Sequence, residues 1–248
     1  LGWLAAKCAS HFCLGEAARE MSTQAKTSVP LICTSCHERL KGPLVCSNCG
    51  KLQSAEDTDY FALFGLPRKL WIEMTGLEQK FLQLSWKLHP DNFVNASEEE
   101  RELSLKRSSE LNDAYRALKD PVARVEYLLA IEGERKEGEK KQLAPPELLE
   151  EVFELNESLD ELREAKAAGL EIDGMKERLH AAEKKFGGKL AEVDVEMQGT
   201  AKEWDKAVDA GSDGATRKKI MARLNEHLNR RSYIRNLVVG VAKELSEA

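Results

Sequence analysis

The sequence has few aromatic residues, 6% of the chain, and no cysteine after Cys49. Sparse aromatics alongside 32% charged residues suit solvated helices better than a β-sandwich. A secreted disulfide protein would spread its cysteines through the fold, so their confinement to the N-terminal end points to a reducing compartment. A basic excess is also missing. The formal net charge is −6, which argues against a nucleic-acid partner. No apolar run approaches membrane-spanning length, so no membrane partner is expected. There is no internal repeat and no glycine-rich phosphate loop. The 248 residues leave room for one large or two small domains with a real core.

What is present is helical periodicity with sharp interruptions. Leu77, Phe81, Leu84 and Leu88 form one apolar stripe. Ser97, with Glu99 and Glu100, opens a second run through Leu111, Ala114, Tyr115 and Leu118. Between them stand His89, Pro90 and Asp91. Pro90 ends the first helix because it lacks a donor and disfavours the α conformation at His89. The spacing predicts an antiparallel helix pair with an imidazole and a carboxylate at its tip. Three readings compete for those two side chains. They could be a base with its orienting carboxylate, a helix cap beside a solvated loop histidine, or a charged contact for a partner. No nucleophile or second carboxylate accompanies them, so an enzyme is the least supported reading.

Downstream, Pro145 and Pro146 suit a helix start. Leu148, Val152, Leu155, Leu159 and Leu162 follow at 4-3-4-3 spacing. Ile172, Met175, Leu179, Ala182, Phe186, Val193 and Met197 make a second stripe, weakened at Gly187-Gly188. Ile220, Leu224, Leu228, Ile234, Val238, Val241 and Leu245 make a third. Three such helices predict an antiparallel bundle. Leu149 and Phe153 lie about 100° from the first seam and neighbour Glu154, Glu157 and Glu161. Spacing alone leaves them either the edge of a wide core stripe or an apolar partner patch.

Cys33, Cys36, Cys46 and Cys49 form two Cys-x2-Cys knuckles nine residues apart. Each directs two thiolates at one point, and together they complete a tetrahedron suited to Zn²⁺. Iron is the chemical rival in a four-thiolate site. Four protein ligands close the site, which makes it structural. Gly50 frees the backbone turn after the last ligand, and His37 is expected to be a bystander. Cys8 and Cys13 fall in residues 1–29, read as a disordered leader in which Met21 could be a start.

Three further runs carry a resemblance. Asp59-Tyr60-Phe61-Ala62-Leu63-Phe64-Gly65-Leu66-Pro67, Leu88-His89-Pro90-Asp91-Asn92-Phe93 and Leu111-Asn112-Asp113-Ala114-Tyr115-Arg116-Ala117-Leu118 resemble a J-domain. Arg124-Val125-Glu126-Tyr127-Leu128-Leu129 and the bundle extend the likeness over residues 57–248 to the HscB-type co-chaperones of iron–sulfur cluster biogenesis. The resemblance implies an all-α protein: a J-domain hairpin, then an antiparallel three-helix bundle, preceded by a small zinc-knuckle segment. The expected boundaries are 30–54, 57–132 and 143–248.

The resemblance also implies that the chain hydrolyses nothing itself. It would stimulate an HscA/DnaK-type ATPase chaperone through His89, Pro90 and Asp91, with Lys80 and Lys87 steering an acidic partner surface. It would carry an IscU-type iron–sulfur scaffold on Leu149, Phe153, Glu154, Glu157, Glu161 and Tyr233. Asn92 stands where such proteins often have lysine, and Glu150 where they often have methionine. A general J-protein adaptor for another client is the alternative. An iron redox protein built on the cysteines is a third class. Diphthamide-pathway co-chaperones place their cysteines after the J-domain, the opposite order. The expected compartment is bacterial cytoplasm, with mitochondrial matrix as the alternative.

Overall fold

Side-chain caps and prolines divide the chain into helices. The computed structural model describes residues 32–42, 44–53, 59–135 and 145–247. The expected leader, Cys8, Cys13 and most of the charged link up to Gln142 lie outside them. Asp59 caps the short helix α1 (Tyr60–Leu63) by accepting the N–H of Ala62. Glu73 caps α2 (Met74–Leu88). A 3₁₀ turn, Pro90–Phe93, follows at once. Ser97 Oγ accepts from Glu100 N at the start of α3 (Glu98–Lys119), as the residue pattern predicts. Asp120 then caps α4 (Pro121–Ile131), with proline at its first turn.

A second 3₁₀ turn, Pro146–Leu148, leads into α5 (Leu149–Ala167). Two long helices complete the chain, α6 (Asp173–Asp209) and α7 (Gly214–Glu247). α6 runs unbroken through Gly187-Gly188, because packing of Phe186 and Val193 on each side of the pair holds it. The described residues contain no extended strand. Two isolated bridges, Ile32 to Arg39 and Val45 to Leu52, tie the cysteine segment.

There are two apolar cores. One joins α1 to α4 with Leu44 and Leu52 of the cysteine segment, and also with Met197, Trp204, Ile220, Leu224 and Leu228. The other joins α5 to the outer halves of α6 and α7, through Leu155, Leu162, Leu179, Phe186, Ile234 and Val241. The long helices therefore serve both cores. A polar layer separates them: His227 Nε2 and Thr200 Oγ1 are 3.1 Å apart, and Arg230 pairs with Glu196. Burial lowers the His227 pKa, which keeps the ring neutral inside this layer.

The loop between α1 and α2 is clamped from both sides. The Asp205 carboxylate accepts the N–H groups of Leu70 and Trp71, at 2.6 and 2.8 Å. Trp204 Nε1 donates to Arg68 O at 2.8 Å. The buried Arg124 guanidinium donates to Leu70 O and Leu118 O. Asp205→Ala strands two N–H groups at this joint. We expect a loss of about 2 kcal/mol, read as a fall of roughly 4–8 °C in Tm, with Asp205→Asn losing less.

Candidate functional site

The hairpin tip is built by local hydrogen bonds. His89 Nδ1 accepts the backbone N–H of Asp91 at 3.3 Å, so the imidazole itself caps the 3₁₀ turn. That places the cap on His89, not on Asp91. Asn92 Nδ2 donates to Trp86 O at 2.6 Å and closes the end of α2. A lysine at position 92 has no equivalent planar amide for this closure. Ser104 and Ser108 hydroxyls both donate to Leu88 O, at 2.7 and 2.9 Å, and fasten the hairpin base to α3. The result is a rigid loop that leaves the Asp91 side chain 84% exposed. The carboxylate lies 3.5 Å from His89 Nδ1 and is otherwise turned to solvent.

The flanking lysines differ from each other. Lys87 is exposed in the last turn of α2, two residues before His89. Lys80 Nζ donates to Phe64 O at 3.0 Å, so one of its three N–H groups serves the end of α1. Trp86 is 80% exposed, and Leu82 on the same helix face is also exposed, an apolar stripe beside the loop that residue patterning did not single out.

On α5, Leu149 is 54% exposed and Phe153 71%. The seam residues Val152 and Leu155 are buried beside them, so the pair lies outside the core stripe. Glu154 and Glu157 are exposed on this face. Glu161 is engaged within the bundle, accepting from Arg178 at 2.7 Å. Tyr233 is half-buried against the second core. Arg230 lies 3.8 Å from Glu147, which brings that turn of α7 to the start of α5, near Leu149.

The four cysteine sulfurs lie within 4.8 Å of one another. Cys33 to Cys49 and Cys36 to Cys46 are each 3.6 Å. A zinc tetrahedron with Zn–S near 2.3 Å has edges of about 3.8 Å, so the quartet fits a metal ion. The two knuckles are near-copies. The N–H of Ser35 points at Cys33 Sγ and that of Asn48 at Cys46 Sγ, both at 3.4 Å. His37 (φ 58°) and Gly50 (φ 74°) occupy matching left-handed positions. His37 is thus a turn residue, and it makes the conformation that glycine makes freely in the second knuckle. The backbone N–H of Cys36 outweighs burial and, with that of Ser35, lowers the Cys33 thiol to about 6. Backbone N–H of Glu38 and the Asn48 amide lower Cys36 likewise. Cys49 goes the other way: against the lowering effect of the Lys51 N–H, burial and the neighbouring thiols of Cys36, Cys33 and Cys46 push it up to about 11, so two of the four ligands are biased toward thiolate and Cys49 is not.

Residue patterning missed how this segment is held. Gln53 is buried. Its side-chain amide donates to Cys33 Sγ at 3.4 Å, and its backbone carbonyl accepts from Arg107 Nε and Nη2, at 3.3 and 3.2 Å. Arg107 is buried in the middle of α3. The stripe Leu111, Ala114, Leu118 continued backwards falls on Arg107 and Ser104, and that register was the available signal.

An exposed carboxylate on a helical hairpin, joined to a helical bundle, is the arrangement that the resemblance to a J-type co-chaperone leads one to expect. No family model matches the chain. It is 34% identical over 151 residues, 61% of this chain and 85% of the relative, to the co-chaperone protein HscB homolog of Vibrio vulnificus. It is 31% identical over 172 residues, 69% of this chain and 95% of the relative, to that of Aliivibrio salmonicida. The crystal structure of human co-chaperone protein HscB superposes with a TM-score of 0.57 at 22% identity, covering 88% of this chain and all of that one, which shows a shared fold. The chain belongs to the HscB co-chaperone family. No described helix is long and apolar enough to cross a membrane.

Proposed function

We propose that this chain stimulates ATP hydrolysis by an HscA/DnaK-type chaperone and brings an IscU-type iron–sulfur scaffold to it. The observation that carries this reading is the pairing of two outward-facing sites, Asp91 on the hairpin loop and Leu149 with Phe153 on the bundle, all largely exposed to solvent. In this reading Asp91 meets an arginine of the ATP-bound chaperone, a charge-assisted contact. The loop selects one conformational state of the ATPase, and that differential affinity is the whole of its effect. Lys80 and Lys87 add steering. The chain performs no chemistry of its own. In this reading residues 57–132 carry the chaperone site, and residues 143–248 the client site.

The scaffold meets Leu149, Phe153, Glu154 and Glu157, with Tyr233 at the border and Glu161 contributing through its place beside Arg178. ATP turnover by the chaperone tests the function directly. We expect stimulation by the chain alone and a further rise when scaffold is added. A chain that stimulates but shows no scaffold-dependent rise is a general adaptor for another client.

We further infer that the cysteine quartet holds Zn²⁺, which supplies folding free energy to a segment too short for a core of its own. Cys33, Cys36, Cys46 and Cys49 are the ligands, and Gln53 orients Cys33. The free thiols suit a reducing compartment, bacterial cytoplasm or mitochondrial matrix. Elemental analysis should find one zinc per chain in a colourless protein, and iron absorption bands would contradict this. Cys46→Ser or a strong chelator should release the metal and open residues 32–53 to protease while α2 to α7 resist.

A further inference from the structure

The cysteine segment does more than lean on the hairpin. Between residues 40–42 and 44–50 of the cysteine segment and helices α1 and α2 lies an open cleft of about 790 Å³. Lys41 stands on one wall, and Lys80 and Lys87 on the other. No carboxylate is among the described residues that line it, although the chain as a whole carries a net −6. Val45 and Leu84 supply apolar lining between the lysines. The walls are fixed. Leu44 and Leu52 are buried in the first core, Arg107 holds Gln53 O, and Lys51 pairs with Glu100 at 3.3 Å. Lys87, on the cleft wall, precedes His89 by two residues, so the cleft adjoins the loop that presents Asp91.

We propose that this cleft receives an acidic, partly apolar segment of the ATPase chaperone. The metal-held knuckle thereby forms the second wall of the chaperone's docking site. The inference rests on Asp91 being the docking carboxylate, and it assigns the cysteine segment a part in partner recognition. Three ammonium groups around an apolar strip favour carboxylates interspersed with aliphatic side chains. They would raise affinity and its salt dependence, because exposed charges at this spacing are screened by salt.

The test uses the full metal-loaded chain and the ATP-bound chaperone, with Kd measured from about 50 to about 300 mM salt, over which the Debye length falls from roughly 14 to roughly 6 Å. Lys41 is exposed on the knuckle, far from the Asp91 loop in sequence, and each variant is checked for metal content. Lys41→Glu should weaken binding about threefold to tenfold at low salt and flatten the salt dependence, and Lys41→Arg should retain both. If Lys41→Glu keeps the original Kd and salt slope while Asp91→Ala loses stimulation, the cleft inference fails and the docking loop stands. If Asp91→Ala itself stimulates normally, the docking reading fails, and the partner assigned to the cleft falls with it.

Discussion

Asp91→Ala should abolish stimulation of the chaperone's ATP hydrolysis and leave the affinity for the scaffold unchanged. The structure makes this substitution unusually clean. The Asp91 side chain is almost wholly in solvent, its one ion-pair contact a 3.5 Å approach to the exposed His89 Nδ1, and the hydrogen bonds that hold the turn come from other groups: His89 Nδ1 on the Asp91 N–H, Asn92 Nδ2 on Trp86 O, and two serine hydroxyls on Leu88 O. Alanine keeps the N–H that His89 accepts. The fold should therefore lose less than about 0.5 kcal/mol, as surface changes away from packed features do. Truncating one member of a desolvated charge pair at an interface costs about 2–5 kcal/mol. A stimulated rate near the chaperone's unstimulated rate is expected, and single-turnover ATP hydrolysis reads it. Asp91→Asn separates charge from shape, and should be nearly as defective because the bidentate arginine contact needs both carboxylate oxygens ionised.

Leu149→Ala with Phe153→Ala is the second large effect. Both side chains face solvent, flanked by Glu154 and Glu157, so truncation removes little from the bundle. Fully burying such side chains at an interface contributes about 1.5–3 kcal/mol each. We expect the scaffold to bind about a hundredfold more weakly, close to 3 kcal/mol. Calorimetric titration measures it, and Tm provides the control. Stimulation of the chaperone without scaffold should survive, because α5 packs on the second core and the docking loop on the first. An unchanged scaffold affinity would assign the pair to plain surface.

These two sites differ in how far residue order reveals them. Pro90 and Ser97 carry local chemistry that stops and starts helices, so the hairpin tip is readable from a few neighbouring residues. The Cys-x2-Cys spacing likewise contains its own geometry. The Leu149 and Phe153 pair has spacing compatible with a core edge or a patch, and only their exposure separates the two. What leaves no periodic trace is pairing between distant polar groups. Gln53 O with Arg107, Leu70 N–H with Asp205, and Lys80 with Phe64 O each depend on the assembled fold. For the same reason the stripes of α6 and α7 show that these helices have a buried side, yet they do not show that one half packs on each core. The cleft lined by Lys41, Lys80 and Lys87 exists only once the knuckle is fastened to α3 beside α2.

The central claim is that one chain bridges two partners, which makes the two sites useful only when covalently joined. An equimolar mixture of Asp91→Ala and the Leu149→Ala, Phe153→Ala double variant contains both intact sites, but on separate molecules. Scaffold-dependent stimulation of chaperone ATP turnover by that mixture is the most direct measurement. That mixture should show the scaffold-independent stimulation of the double variant, with no further rise on adding scaffold. A rise matching the unsubstituted chain would contradict the bridging claim.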